Sequence, residues 1–243
     1  MSRALALLYA VLTYAFFFIT FLYAIGFVDS LIVAKTIDSG AAGNVVTAAV
    51  IDLVVLSIFA LQHSVMARPA FKNVWTRLVP PVVERTTYVL AATLALALII
   101  WQWRPIHGGL WDVSGTALGT ALTVLSLIGF GVVLLSTFLI DHFELFGLRQ
   151  TWTAFRGGEF PAPKFVTPLF YKTVRHPLYL GFIIAFWATP RMSWGHLLFA
   201  AVTTAYMLVA IRFEERDLVG VFGHTYEEYR RRVSMIIPTA PKA

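Results

Sequence analysis

Cysteine is absent from the 243 residues. That excludes disulfides, thiolate metal sites and a catalytic cysteine. Charge is scarce too: 13% of the residues are charged against 58% hydrophobic. With a mean hydropathy of +0.75, the chain is no ordinary soluble domain. Acidic residues are outnumbered by basic ones, 13 to 19, for a formal net charge of +6. The basic residues lie in loops beside apolar runs, a placement that speaks for membrane topology and against a nucleic-acid face. No internal repeat and no separate soluble domain are visible. A removable signal peptide is not expected either, because the first apolar run exceeds a typical h-region and lacks a persuasive small-residue cleavage site.

What is present are long apolar runs. Leu5 to Phe27, Val45 to Met66, Thr86 to Trp103 and Ala117 to Ile140 each suit a membrane-spanning helix. Trp101, Trp103 and Trp111 gather near the loop after the third run, as an interfacial belt would. A polar stretch follows from 141 to 176, holding Gly157-Gly158, Pro161, Pro163 and Pro168. It is too long for an idle connector and is expected to fold over something. Leu178 to Ala188 is too short to span fully, Met192 to Ile211 is long enough, and the two read as a hairpin turning at Pro190-Arg191. The charged tail from Arg212 is expected as a surface helix. The fold class is therefore all-α: a polytopic integral membrane bundle of about six helices ending in a helical hairpin.

With six crossings, 16 of the 19 Lys and Arg fall on one side, and only Lys35, Arg104 and Arg191 on the other. This bias places both termini in the cytosol. It also brings four polar clusters to one membrane boundary. They are Gln62-His63, Asp141-His142-Phe143-Glu144, Arg175-His176-Pro177 and Glu214-Glu215-Arg216-Asp217.

The third cluster opens an apolar segment. His176 sits at a helix N-cap position, Pro177 suits the first helical position, and Gly181 removes a side chain where something approaches closely. Such a helix start offers a seat for a carboxylate. A seat for a polar ligand and an ordinary capped helix start with a surface Arg-His pair are equally open on these residues alone. Asp52 is the other outlier. A charge inside a span costs about 2.5–3.5 kcal/mol on insertion scales, so it is a functional candidate. Its alternative is a buried hydrogen bond to a partner such as Thr13 or Tyr14. It shares a helix face with Phe59 and His63 but stands about 16 Å from His63, too far for direct cooperation.

Arg175-His176-Pro177-x-Tyr179-x-Gly181 resembles the C-terminal signature of isoprenylcysteine carboxyl methyltransferase-like membrane proteins. Val166-Thr167 and Tyr171 upstream, and Glu214-Glu215 with Gly223-x-x-Tyr226-x-x-Tyr229 downstream, extend the resemblance over roughly the last third of the chain. The segments Gln62 to Pro69 and Asp141 to Gln150 bring the whole chain closer to the bacterial methanethiol S-methyltransferases, a branch related to NnrU proteins.

The resemblance implies one membrane-embedded methyltransferase domain over 1–243. Residues 1–140 would form a four-helix acceptor side, and 141–243 the cofactor-binding loop, hairpin and cytosolic tail. It implies S-adenosylmethionine as methyl donor and methanethiol as acceptor, giving dimethyl sulfide, in the bacterial inner membrane with the bilayer as its medium and no required protein partner. Cofactor contacts carried over are Phe165, Val166, Thr167, Tyr171, His176, Pro177, Leu178, Tyr179 and Glu214, with Gln150 from the Asp141 segment. Pro168-Leu169-Phe170 departs from relatives that often carry a glycine there. Tyr226 and Tyr229, with Arg230-Arg231-Arg232, would clamp the tail to lipid headgroups and the cytosolic loop.

A thiol acceptor reacts as its thiolate, and a general base would help form it. His142 is the first choice and His63 the second, with Glu144 or Asp141 orienting either. No metal is expected, since these residues lie on separate helices without diagnostic spacing. Rival readings keep the donor but change the acceptor to a lipid amine, a prenylcysteine or another thiol. A further rival is an NnrU-like haem-binding protein that is no methyltransferase.

Overall fold

The computed structural model describes residues 2–160 and 164–238. Pro161 and Pro163 of the expected loop lie outside the described residues. Among the described residues, five helices are long and apolar enough to cross a membrane: α1 (Arg3–Asp29), α2 (Val45–Ala67), α4 (Pro81–Gln102), α5 (Ala117–Ile140) and α9 (Trp194–Phe222). Between them lie α3 (Pro69–Trp75), α6 (His142–Leu145), α7 (Leu148–Phe155) and α8 (Pro177–Trp187), and α10 (His224–Arg232) follows. Two short strands, β1 (Gly109–Asp112) and β2 (Arg191–Ser193), complete the order. The protein is an all-α integral membrane bundle. The 11 residues of α8 rise about 16 Å, half of a hydrocarbon core, as its short apolar run implied.

The starts of these helices are chemically marked. The hydroxyl of Ser2 accepts from the Leu5 amide, Asn44 from the Thr47 amide and Ser193 from the His196 amide, which satisfies amides that a helix start leaves unpaired. Proline stands at the first turn of α3, α4 and α8, where no N–H is needed. The described part of the 141–176 stretch carries regular structure. It holds α6, α7 and a 3-10 turn at Leu169–Lys172.

The chain divides into two compact units, Met1–His107 with Asp141–Ala162, and Gly108–Ile140 with Pro163–Ala243. The division cuts across residue 140: α5 joins the hairpin, while α6 and α7 join α1, α2 and α4.

In the first unit α1 and α2 pack on α4, and α7 packs on α1 and α4. The 30–44 loop is latched to the end of α4. Lys35 Nζ donates to the Trp101 carbonyl, and buried Trp103 donates to the Ile37 carbonyl at 3.1 Å. Asp52 serves this latch. Its fully buried Oδ1 accepts from the Arg104 amide at 2.8 Å, which replaces the expected partners Thr13 and Tyr14.

In the second unit α8 lies against α5 at backbone contact. A Cβ added at Gly181 would stand 2.7 Å from the Gly129 carbonyl oxygen, and one at Gly129 equally close to the Gly181 oxygen. The close approach that Gly181 foretold is thus another helix. Ser126 Oγ donates to the Ala185 carbonyl at 2.9 Å in the same seam. Strands β1 and β2 pair antiparallel, with Arg191 Nε bonding Asp112 Oδ2 at 2.7 Å and Trp111 bonding the Thr189 carbonyl at 3.0 Å. Helix α9 continues well past Ile211, so the charged sequence from Arg212 extends a transmembrane helix before Gly223 breaks it and α10 begins.

Candidate active site

In the second unit the start of α8 meets the polar end of α9. His176 is the N-cap of α8, but its side chain makes no capping bond. Buried, it instead places Nε2 at 3.1 Å from Glu215 Oε1. Arg175 Nε donates to that same oxygen at 2.6 Å. The Arg175 guanidinium also donates through Nη1 to the Arg230 carbonyl at 3.1 Å and to the Val233 carbonyl. These carbonyls terminate α10, where a cation is favoured by the helix dipole. The chain after α10 then lies along the start of α8, with the Arg175 amide bonding the Ser234 carbonyl and the His176 amide the Met235 carbonyl.

One residue earlier on α9, Glu214 does something else. It accepts from the Tyr179 hydroxyl at 2.9 Å, and its side chain is 43% exposed. Its Oε2 lies 4.0 Å from His176 Nδ1.

Beside this knot sits an aromatic box. The Phe165 ring stands 5.3 Å from Phe222, 5.8 Å from Tyr226 and 5.3 Å from Tyr229. The Tyr229 hydroxyl donates to the Tyr171 carbonyl at 2.6 Å. Burial pushes the Tyr229 phenol up to about 12 and those of Tyr171 and Tyr226 up as well. All three are neutral donors at neutral pH. Tyr226 and Tyr229 thus clamp the Phe165 segment itself. Val166 and Thr167 follow Phe165 toward the 3-10 turn, and Val166 is exposed. Leu169, just after Pro168, has φ +41°, left-handed backbone that glycine takes without steric cost. The departure at Pro168-Leu169-Phe170 therefore falls on a position that glycine would suit. Pro177 is buried and Leu178 half-buried at the first turn of α8.

The other candidates lie in the first unit. His142 follows its N-cap Asp141, whose Oδ1 accepts from the Glu144 amide at 3.0 Å. Buried, His142 places Nε2 at 2.8 Å from the Tyr14 hydroxyl, with the Phe146 ring 4.8 Å away. Burial holds its pKa below the usual imidazole value. Asp141 pairs with Arg149, and Glu144 Oε2 lies 3.7 Å from the same guanidinium. Gln150 Nε2 donates to the Glu144 carbonyl at 3.1 Å, and its Oε1 is buried without a partner. His63, on α2, places Nε2 at 2.9 Å from the Tyr88 hydroxyl of α4 and stacks on Phe59 at 5.2 Å. At each imidazole Nε2 the group found is a tyrosine hydroxyl, where Asp141 or Glu144 was the expected orienter.

Compared with known proteins, the chain matches the NnrU protein family over residues 53–217. The chain belongs to the NnrU family. Methanethiol S-methyltransferase 2 of Bradyrhizobium diazoefficiens is 53% identical over 98% of this chain and 91% of its own length. The methanethiol S-methyltransferase of Mycobacterium tuberculosis is 51% identical over 98% of both chains. A more distant relative, a Nurim homolog of Drosophila pseudoobscura pseudoobscura, is 30% identical over 70% of this chain and 69% of its own. No solved structure matches.

Four residues of this NnrU chain were absent from the sequence-derived site: Glu215, Phe222, Tyr14 and Tyr88. Glu215 was visible as the neighbour of Glu214, but only the helix phase of α9 decides which carboxylate turns inward. Tyr14 and Tyr88 carry no sequence signal, since a tyrosine inside an apolar run reads equally as packing.

Proposed function

We propose that this chain transfers the methyl group of S-adenosylmethionine to methanethiol, releasing dimethyl sulfide and S-adenosylhomocysteine. Kinship supports the acceptor: relatives named methanethiol S-methyltransferase are 46–53% identical over almost the whole chain. The donor set of the second unit supports the cofactor. S-adenosylmethionine supplies an electrophilic methyl group on a sulfonium, beside an ammonium, a carboxylate and a ribose diol.

The residues fit that list group by group. The half-exposed Glu214 carboxylate has room to accept from an ammonium or a ribose hydroxyl while holding Tyr179. The faces of Phe165, Phe222, Tyr226 and Tyr229 suit an aromatic ring or a cation. The first turn of α8 lacks a side-chain cap, so its amides and positive helix end suit a carboxylate. Glu215 and Arg175 hold the His176 imidazole in place. Val166, Thr167 and Leu178 complete the proposed contact set in the second unit. His142 and His63 are the proposed proton acceptors for the thiol, and burial keeps His142 neutral and therefore basic at neutral pH. Positioning and exclusion of water supply most of such a displacement.

The charge bias of 16 Lys and Arg against 3 supports a bacterial cytoplasmic membrane with both termini in the cytosol, the side from which a polar nucleotide-like donor arrives.

The observation that carries this reading is the Tyr179–Glu214 bond beside the His176–Glu215–Arg175 knot. Calorimetric titration of S-adenosylmethionine into the purified protein tests it. A hydrogen bond to a charged group contributes about 1.5–3 kcal/mol, so Tyr179→Phe weakens binding roughly ten- to a hundredfold. Equal affinity in wild type and variant contradicts the site. A wild type that shows a Soret band and no donor binding favours the haem reading instead.

A further inference from the structure

We propose that the end of α10 and the extended segment after it form a docking surface for anionic phospholipid, and that lipid bound there tightens the donor site through Arg175. The coupling rests on the donor reading, whereas the surface itself does not.

Element lengths bring this surface to the membrane. The 29 residues of α9 rise about 43 Å, roughly 13 Å more than a hydrocarbon core. Gly223 then breaks the helix, and the 9 residues of α10 are enough to return over about that distance. The backbone bonds show that the chain does return. The Ser234 carbonyl accepts from the Arg175 amide at 2.8 Å, and the Met235 carbonyl from the His176 amide at 3.1 Å. Arg175 and His176 directly precede the apolar helix α8. The segment after α10 therefore stands where the apolar layer ends.

The surface has a charged part and an apolar part. Tyr226 and Tyr229 turn inward, while Arg230, Arg231 and Arg232 are exposed. Exposed Lys172 stands two residues before Val174, the bridge partner of Ser234. Glu228 opposes this charge, 4.0 Å from Arg232 Nη2, in an exposed pair of the kind that contributes little. Beyond the arginines Ile236 is buried, but Met235 and Ile237 are 37% and 74% exposed. Guanidinium groups beside outward apolar side chains suit the boundary of an anionic leaflet. A free anion would engage the arginines and leave Met235 and Ile237 in water. The negative end of α10 does not repel the headgroup, because Arg175 Nη1 covers the Arg230 carbonyl at 3.1 Å and the Val233 carbonyl.

The same guanidinium holds Glu215 Oε1 at 2.6 Å through Nε, and that oxygen holds His176. Lipid that favours the docked tail thus favours the assembled knot beside Tyr179 and Glu214. By linkage, lipid and donor strengthen each other by the same factor.

The cysteine-free chain allows a single Ile237→Cys variant to carry an environment-sensitive fluorophore. The labelled protein is placed in nanodiscs of phosphatidylcholine alone or mixed with phosphatidylglycerol, and donor affinity is measured by calorimetry on the unlabelled wild type in both. Phosphatidylglycerol should shift the emission to the blue and tighten donor binding about fivefold or more. Each Lys or Arg near an anionic leaflet adds about fivefold to binding. Replacing Arg230, Arg231 and Arg232 together by Gln should therefore abolish both effects while leaving thermal stability in phosphatidylcholine unchanged. Arg231→Gln alone, with a partial loss, carries the test should the triple variant fail to fold. Equal emission in the two lipids, a triple variant that keeps the full shift, or the same shift produced by inorganic phosphate in detergent would each overturn the lipid surface. A lipid-dependent shift with equal donor affinity in both nanodiscs overturns the coupling. A lipid-dependent shift in a wild type that binds no donor upholds the surface and overturns the donor reading.

Discussion

Glu214 and Glu215 are neighbours on α9, yet only Glu215 closes on His176, with 3.1 Å between Oε1 and Nε2. Successive helix residues point about 100° apart, so one carboxylate turns into the protein while the other stays 43% exposed beside Tyr179. Glu215 shares its oxygen with Arg175, whose side chain is only 9% exposed. In the proposed reading the inner glutamate assembles the site and the outer one meets the ligand.

That division predicts two different defects. Removing one member of a buried ion pair costs about 3–5 kcal/mol, because the other charge stays buried. Glu215→Gln should therefore lower the thermal stability of the purified protein strongly. Glu214→Gln should change it by about 1 kcal/mol or less while weakening S-adenosylmethionine binding. Equal melting temperatures for the two variants would contradict the division.

The α5–α8 seam predicts a contrast between glycines. At Gly181 a methyl group would stand 2.7 Å from the Gly129 oxygen and 2.9 Å from the Val133 amide nitrogen. Gly181→Ala should destabilise by about 1–3 kcal/mol through overpacking. At Gly131, two residues beyond Gly129 on α5, nothing lies within 4 Å. Gly131→Ala should be neutral or gain about 0.5–1 kcal/mol from reduced backbone freedom in the unfolded chain. Thermal unfolding of both variants in one detergent decides the matter.

Leu169 predicts a gain. Its φ of +41° costs a residue with a Cβ about 1–2 kcal/mol, and its side chain is exposed. Leu169→Gly should therefore be more stable than Leu169→Ala, which loses the same packing but keeps the strain. The reverse order would show that the left-handed turn is unstrained.

His142 predicts a pH dependence. Burial depresses its folded pKa, so the unfolded chain takes up a proton first as the solution is acidified. The stability present above about pH 6.5, the unfolded value, is lost as pH falls through the depressed folded value. Wild-type melting temperature should drop over that window more than that of His142→Gln. Parallel curves would contradict the assignment.

Much of this architecture was legible because a bilayer demands apolar runs. Ala117–Ile140 could be read to the residue, and α8 announced its shortness. The rest depended on partners distant in sequence. Helix α7 was missed because Leu148–Phe155 is amphipathic, with Arg149 and Gln150 among its residues, and carries no span signal. Strands β1 and β2 are four and three residues long and exist through pairing across about eighty positions. The end of α9 was placed too early because hydropathy falls at Arg212 while helix propensity does not. In the site, His176-Pro177-x-Tyr179 was visible as a motif, but the tyrosine partners of His142 and His63 arise only when α1 and α4 pack beside them.

The most direct test of the methyl transfer is the fate of a labelled methyl group. Purified protein in nanodiscs is given methanethiol and S-adenosylmethionine carrying a trideuterated methyl, and the volatile product is weighed by mass spectrometry. The account predicts dimethyl sulfide heavier by three deuterium substitutions, formed one for one with S-adenosylhomocysteine. Unlabelled dimethyl sulfide, or no dimethyl sulfide while the label passes to a lipid, would contradict it.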